Sequence, residues 1–275
     1  MTQIETGSFA CSEGMESRSA FRVISWNIAR GSKLEGILEF LATANADIIF
    51  LQEADKSARR TGYRNIAKEI AQKLRLNYVF GCEFEELAQG STSSPAYHGQ
   101  ATLSRWPLSN SSILPFHKQS NFWRPRWFIP RLPSLQRRRG GRMALFSQVL
   151  TPDRSVATYN LHFESRGSDD LRYSQLHELL EDLKRCSPDV PVIAAGDFNF
   201  DLSQGQPAAA LADVRFVNPF ATLRPATTVA HSLSARDRVI DCILLRGPLI
   251  GTDAHVHSSV LASDHYPLSL TVSFC

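Results

Sequence analysis

The segment VPVIAAGDFN, residues 190–199, joins a short apolar run to a polar end. A continuous run of four to eight apolar residues is typical of a strand that is buried on both faces. Asp197 and Asn199 follow at the point where this strand ends. Because functional side chains often lie where the strands of a rigid scaffold end in loops, the segment predicts a buried strand that carries candidate site residues.

Other predicted strands end in the same way. The strand FRVISWN ends at Asn27, DIIFLQE ends at Glu53 and VATYNLH ends at His162. The last strand, YPLSLTVSF, is preceded by Ser-Asp-His at residues 263–265. Each of these residues alone is explained by a turn or a helix start, but their recurrence at strand ends favours one shared site.

Helical segments separate several of these strands. Apolar residues recur at helical spacing in LEGILEFLATAN (34–45), RNIAKEIAQKLR (64–75) and DLRYSQLHELLEDLKRC (170–186). Short β–β connections also recur, as between MALFSQVL and SVATYNLHF, so a purely parallel doubly wound sheet is not expected. The pattern predicts an α/β protein with a mixed sheet, or with two packed sheets covered by helices.

The sequence predicts one domain over residues 21–275, because no linker or internal repeat follows Phe21. Residues 1–20 are small and polar without periodicity, and we expect them to form a flexible N-terminal tail. They lack the basic and apolar regions of a secretory signal. The five cysteines are scattered and odd in number, which indicates reduced thiols in a cytoplasmic protein.

The composition excludes several classes of protein. Hydrophobic residues make up 43% of the 275 residues and charged residues 21%, which is close to the globular average and argues against disorder. No apolar run approaches the roughly 18 residues of a membrane-spanning helix. The net charge of +3 is unevenly distributed: residues 87–152 contain no Asp or Glu but nine of the 30 Lys and Arg. This basic block favours a polyanionic partner over a merely solvated loop.

Much of the basic block lies in a predicted insertion at about residues 116–142. Its aromatic residues, among them Trp123 and Trp127, alternate with arginines. Such a pattern suits single-stranded nucleic acid, and we expect nucleic acid more than an anionic membrane lipid. A proline-stiffened loop that folds its aromatics onto the domain is a further alternative. The candidate substrate-binding arginines are Arg124, Arg126, Arg137, Arg138 and Arg139.

The residues at the strand ends suit hydrolysis at phosphorus with a hard divalent cation. Mg²⁺ prefers oxygen ligands and is commonly held by one or two carboxylates together with substrate phosphate. A nearby carboxylate can orient and deprotonate water, and a histidine can supply a proton or stabilise the phosphorus centre.

Seven motifs occur in one order along the chain: WN, LQE, YHGQATLSR, NLHFES, GDFN, DRVIDCIL and SDH. In this order and spacing the sequence resembles the endonuclease/exonuclease/phosphatase superfamily, which is deoxyribonuclease I-like, from about Phe21 to Phe274. The branches with tyrosyl-DNA phosphodiesterase and neutral sphingomyelinase activity share some of these details. The resemblance implies a four-layer α/β sandwich, with two mixed β-sheets packed face to face and helices outside.

The resemblance also implies the metal and its ligands. Glu53 would be the principal ligand of Mg²⁺, with Mn²⁺ possible, and Asn27 would lie beside it. Asp264 would lie in or near the metal's shell. The Tyr97 position matches a YxGxA segment of the superfamily and is a candidate substrate-binding residue, whereas the adjacent His98 either approaches the phosphate or is incidental.

The catalytic roles follow from the same resemblance. Asp197 would orient or deprotonate the water, and Asn199 would hold the phosphate or that water. His265, polarised by Asp241, would contact the scissile phosphate, and the superfamily leaves open whether Asp197 or His265 is the base. His162 would assist phosphate binding or leaving-group protonation.

These residues together predict a Mg²⁺-dependent hydrolase of phosphate esters. A phosphodiesterase or nuclease that acts on nucleic acid or its adducts is the preferred function, and no protein partner can be inferred. A phospholipid headgroup phosphodiesterase of the sphingomyelinase type is the enzymatic alternative. A non-catalytic binding module for nucleic acid or membrane is disfavoured, because Glu53, Asp197 and His265 are all present.

Overall fold

Two mixed β-sheets face each other in the computed structural model, which describes residues 3–10, 18–91, 93–123, 137–223, 226–229 and 238–275. In the larger sheet, β2 and β3 pair in parallel, and the other neighbours pair antiparallel. Its strands lie in the order β1 (Ile4–Gly7), β4 (Asn77–Glu86), β5 (Tyr97–Ser104), β3 (Ile48–Lys56), β2 (Ala20–Arg30), β13 (Leu268–Phe274) and β12 (Leu249–Val256), with β7 (Arg138–Gly140) also paired to β4.

The smaller sheet has five strands, of which β10 and β9 pair in parallel and the others antiparallel. Its order is β11 (Asp241–Arg246), β10 (Val192–Asp197), β9 (Ser155–His162), β8 (Met143–Leu150) and β6 (Leu108–Pro115). The predicted sandwich of two mixed sheets is therefore confirmed. Strands β1, β7 and β12 were not expected from the sequence.

Helices cover the outer faces of the two sheets. The helices α1 (Leu34–Ala44) and α2 (Ile66–Leu74) bury their apolar faces in one cluster with the larger sheet. The helix α3 (Asp169–Asp182) and the short α4 (Gly205–Asp213) pack into the cluster that contains the smaller sheet. None of the described helices is both long enough and apolar enough to cross a membrane.

A buried polar contact fixes the two sheets against each other. Gln52 of β3 donates to Oδ1 of Asn160 of β9 at 2.8 Å, and the Asn160 amide donates to the carbonyls of Leu51 and Ala101. Both side chains are fully buried, so each polar group needs its partner. Because β3 and β9 carry Glu53 and His162, this contact sets the distance between the two halves of the candidate site.

The expectation of a flexible tail over residues 1–20 is wrong for part of that segment. Ile4–Gly7 forms an edge strand on β4, and Phe9 stacks on the ring of Tyr78. Glu5 accepts a hydrogen bond from Tyr78 and pairs with Lys56. Pairing with a distant strand outweighs the local polarity, which sequence periodicity does not detect. Residues 1–2 and 11–17 of the expected tail lie outside the described residues.

Candidate active site

The end of β10 brings three predicted catalytic residues side by side. Asp197 is the register partner of His162 on parallel β9 and of Asp241 on antiparallel β11. The preceding Gly196 has a φ of +150°, and a Cβ there would lie 2.0 Å from the carbonyl oxygen of Leu161. Only glycine permits this close approach, so the backbone geometry explains why a glycine precedes Asp197 in the motif.

The Oδ2 atom of Asp197 is the centre of the site. Asn27, from the end of β2 in the larger sheet, donates to it from Nδ2 at 3.2 Å. The Nε2 atoms of His162 and His265 lie 3.6 Å and 3.7 Å from the same oxygen. All four residues are at least nine-tenths buried. The loops of both sheets therefore converge on one carboxylate oxygen.

His265 is held in one orientation by its surroundings. Its Nδ1 lies 2.9 Å from Oδ2 of Asp241, and its carbonyl accepts from Nε1 of Trp26 at 2.8 Å. Burial alone would lower the pKa of His265, but the charges of Asp241 and Asp197 outweigh it and raise the pKa to about 10. The proton between His265 and Asp241 therefore resides on the imidazole, because the negative charges of both Asp241 and Asp197 stabilise the charged ring.

Glu53 lies at a bulge in β3, where the register with β5 shifts and its φ is +55°. Burial opposes the charged carboxylate, but His98, His162 and Arg142 outweigh it and lower the pKa of Glu53 to about 2. No hydrogen bond from another described residue reaches this carboxylate. Glu53 is thus an ionised carboxylate with free lone pairs.

Two residues that the sequence interpretation missed support His162. Arg142 donates to Nδ1 of His162 at 2.9 Å and forms an ion pair with Glu83. Arg142 is 5% exposed and Glu83 4% exposed, so this charge pair is buried. Because arginine only donates, Nδ1 accepts this hydrogen bond when the ring is neutral, and the proton then lies on Nε2, which faces Asp197. The signal in the sequence was a glutamate inside an otherwise apolar strand, NYVFGCEF.

His98 lies in β5, where its charge helps to lower the pKa of Glu53, and it is not an incidental loop residue. It is 2% exposed, its Nδ1 lies 2.8 Å from Asp55, and its ring stacks on Phe84. Arg60 donates two hydrogen bonds of 2.7 Å to the same Asp55 carboxylate. The position of Asp55, two residues after Glu53, was the available clue.

Asn199 lies beside Asp197 but already has backbone partners. Its backbone N–H donates to Oδ1 of Asp197 at 2.9 Å, and its side-chain amide donates to the carbonyl of Phe163 at 3.1 Å. Its φ is +57°, a conformation that asparagine tolerates better than most residues. In this arrangement Asn199 holds the loop that orients Asp197.

Two predicted residues differ in placement from the expectation. Asp264 is exposed, and its carboxylate accepts from Ser263. Its charge helps to raise the pKa of His265, and its expected place in or near the metal's shell stays a prediction. The ring of Tyr97 packs in the cluster with α1 and α2, because it lies on the opposite face of β5 from His98. This placement gives no support to the expected substrate contact of Tyr97, which stays a prediction.

The predicted arginines divide into three groups. Arg124 and Arg126 lie outside the described residues. Arg138 pairs with Glu86, and Arg139 pairs with Glu85, so both are held by carboxylates of β4. Arg137 is exposed beside them and has no carboxylate partner among the described residues.

Two sets of residues are candidates for the ligands of a metal ion. Asp197, Asp241 and His265 have ligand atoms within 4.8 Å of one another. The contacts of His265 with Asp241 and Asp197 explain why these atoms lie close together without a metal ion. A protonated His265 would also repel a cation. Glu53 and the Oδ1 of Asn27, whose strands are adjacent in register at residues 27 and 52, offer hard oxygen donors. Glu53 and Asn27 therefore fit a hard divalent ion better.

The family model of the Endonuclease/Exonuclease/phosphatase family matches residues 24–265. The chain therefore belongs to this family, whose members are generally phosphoester hydrolases. No curated protein matched the sequence.

Several solved structures share the fold at low sequence identity. The endonuclease/exonuclease/phosphatase of Beutenbergia cavernae has a TM-score of 0.69 and 17% identity, covering 94% of this chain and 72% of that chain. The human Nocturnin catalytic domain with a bound sulfate anion has a TM-score of 0.65 and 18% identity, covering 99% and 98%. The D. rerio TDP2 humanized by 14 mutations has a TM-score of 0.60 and 18% identity, covering 93% and 100%.

Proposed function

We propose that this protein is a divalent-metal-dependent phosphodiesterase that acts on nucleic acid or on nucleic-acid adducts. The observation that carries the proposal is the convergence of Asn27, His162 and His265 on Oδ2 of Asp197. A carboxylate within 3.7 Å of two imidazole nitrogens is arranged for proton transfer and for stabilising charge at phosphorus.

Glu53 would hold the metal, with Oδ1 of Asn27 as a second oxygen donor. Mg²⁺ is the expected ion, and Mn²⁺ an acceptable substitute, because both donors are hard oxygens. When bound, such an ion neutralises charge on the phosphoryl oxygens and on the leaving oxygen.

The side chains divide the remaining chemistry between them. Asp197 orients the attacking water and accepts its proton, because a raised pKa keeps His265 protonated at neutral pH and unsuited to act as the base. The imidazolium of His265 donates through Nε2 toward the phosphate, while Asp241 holds its Nδ1. The Nε2 of His162 faces the same space, where its N–H is placed to bind the leaving oxygen, or to protonate it when the ring is charged. Asp197 thus acts as the general base, and His265 stabilises negative charge on the phosphate.

The described residues of the insertion, which do not include Trp127, favour nucleic acid over a lipid surface as the substrate. Trp123 is only 6% exposed and donates to Glu164 at 2.7 Å. A tryptophan buried in this way does not lie at the headgroup level of a membrane. The exposed Arg137 and Arg166 instead supply positive charge near the site.

A panel of substrates with Mg²⁺ or Mn²⁺ tests the proposal. It would contain single- and double-stranded DNA, RNA, phosphotyrosyl-DNA and sphingomyelin. We expect metal-dependent cleavage of at least one nucleic-acid substrate and none of sphingomyelin. Cleavage of sphingomyelin alone would show that the protein is a phospholipid headgroup phosphodiesterase instead. Absence of cleavage throughout, with a folded and metal-binding protein, would favour a binding module.

A further inference from the structure

A cleft of about 810 Å³ is lined mainly by arginines. Among the described residues, its lining holds one carboxylate, that of Glu86, and six guanidinium groups. This volume lies in the range of ligand-binding sites in proteins. The six arginines are Arg30, Arg59, Arg60, Arg137, Arg138 and Arg166.

The cleft is connected to the catalytic residues through the chain and through charge. Arg30 ends β2, three residues after Asn27, and its charge helps to lower the pKa of Glu53. Arg166 lies in the loop that follows His162 at the end of β9. A substrate whose scissile phosphate lies at Asp197 would therefore extend into this cleft.

Two of the arginines are held by buried carboxylates of one network. Asp55 binds His98 and Arg60, and Glu86 binds both Arg60 at 2.9 Å and Arg138 at 3.0 Å. The guanidinium of Arg138 then lies 4.7 Å from the ring centre of Phe84, which stacks on His98. This network neutralises Arg60 and fixes the wall of the cleft.

The other four arginines are exposed and have no carboxylate partner in the described part of the chain: Arg30, Arg59, Arg137 and Arg166. Asp55 and Glu86 offset Arg60 and Arg138, so the four exposed arginines leave the described lining with a formal charge of about +4. Crowded like charges are destabilising, so their accumulation in one cleft favours an anionic ligand with more than one phosphate.

An aromatic surface lies within the same cleft. Phe122 is 40% exposed, and the guanidinium of Arg166 lies 4.4 Å from its ring centre. Arg138 approaches the same ring at 5.9 Å. Aromatic rings and guanidinium planes together form the platform on which unpaired bases stack.

We propose that this cleft binds a nucleotide unit next to the scissile bond, with a second phosphate on Arg137 and Arg166 and an unpaired base on Phe122. This inference rests on the proposed phosphodiesterase function and specifies its substrate as single-stranded nucleic acid. A duplex does not present an unstacked base to the platform, and a lipid headgroup has no base.

Equilibrium binding in EDTA tests the cleft without catalysis. The probe is fluorescein-labelled octathymidylate, measured by anisotropy over a range of salt, with polyphosphate as a base-free competitor. We expect Arg137→Ala and Arg166→Ala each to weaken binding about tenfold. Each should also make the slope of log K against log salt shallower by about 0.7. Phe122→Leu should weaken octathymidylate binding roughly fivefold or more but leave polyphosphate binding unchanged.

Arg154→Ala is the matched control, because this exposed arginine lies just before β9, at the opposite end of that strand from His162. It should bind the probe as the wild type does. Hydrolysis of bis(p-nitrophenyl) phosphate by Arg154→Ala should also equal that of the wild type.

Unchanged octathymidylate binding in the Arg137 and Arg166 variants would overturn the proposal, as would equal effects of Arg154→Ala. Equal loss of polyphosphate binding in Phe122→Leu would overturn the base platform. Tighter wild-type binding to duplex DNA or to phosphatidylserine vesicles than to octathymidylate would contradict single-stranded nucleic acid as the ligand. If the wild type binds octathymidylate through these residues but hydrolyses no phosphodiester, the cleft stands and the proposed function fails.

Discussion

The Nδ1 atom of His265 lies 2.9 Å from Oδ2 of Asp241, in a pair that is almost fully buried. This contact orients the imidazole so that its Nε2 faces Asp197. The same contact stabilises the protonated ring, because the carboxylate offsets the cost of burying a cation. Orientation and charge of His265 therefore have one common source.

The two residues should act as one unit. We expect His265→Ala to lower kcat by about 10²- to 10⁴-fold, and His265→Ala/Asp241→Ala to be scarcely slower than the single variant. Steady-state kinetics on one phosphodiester, with the wild type and both single variants, complete the cycle. Losses that multiply would show that Asp241 has a separate role.

Activity should depend on pH through the same pair. The pKa of His265 is raised to about 10, so the ring stays protonated through neutral pH and loses its proton as the pH rises toward 10. In Asp241→Asn the stabilising charge is removed, and the alkaline limb of kcat/KM should move to lower pH. An alkaline limb that stays in place would exclude His265 as the titrating group.

The metal should depend on Glu53. Glu53→Gln keeps the shape of the side chain but removes the negative charge, so we expect weaker Mg²⁺ binding by calorimetry and a steep fall in activity. Excess Mg²⁺ should restore part of that activity. Glu39→Gln, an exposed change on α1, is the control and should leave both unchanged. Full activity and an unaltered metal requirement in Glu53→Gln would exclude the ligand assignment.

The buried pair of Glu83 and Arg142 should stabilise the fold. Glu83→Gln leaves a buried guanidinium without its partner, which we expect to cost about 3–5 kcal/mol of unfolding free energy in urea. Glu181→Gln, which removes an exposed pair with Lys184, should cost less than about 1 kcal/mol. Equal small effects would contradict the importance of the buried pair.

The same pair predicts a dependence of stability on pH. Burial opposes the charge of Glu83, but Arg142 and His162 outweigh it and lower its pKa to about 2. Because the folded-state pKa is depressed, the stabilisation is present above the unfolded value of about 4.3 and is lost as the pH falls toward 2. Urea titrations between pH 7 and pH 3 should show a larger loss in the wild type than in Glu83→Gln, which keeps the depressed pKa of Glu53.

The sequence predicted the residues that lie at strand ends, because those signals are local. Asp197, His162 and Asn27 each follow an apolar run, and the structure brings them together. Glu83 and Arg142 were missed because 59 residues separate them, and nothing in the local pattern pairs a glutamate in one strand with an arginine before another.

The face of a strand also limited the sequence interpretation. Tyr97 and His98 are neighbours, and alternation places them on opposite sides of β5. The sequence did not show which side faces the site, so Tyr97 was assigned to the substrate and His98 left open. The bulge at Glu53 adds to this difficulty, because a register shift changes which side chains share a face.

The most direct test of the account is hydrolysis of bis(p-nitrophenyl) phosphate by the wild type and by Asp197→Asn, with Mg²⁺ or Mn²⁺ and with EDTA. We expect the wild type to release p-nitrophenol only when metal is present. We also expect Asp197→Asn to be slower by at least about 10²-fold, with a melting temperature close to that of the wild type. Hydrolysis that survives EDTA, or an Asp197→Asn variant as active as the wild type, would contradict a metal-dependent site centred on Asp197.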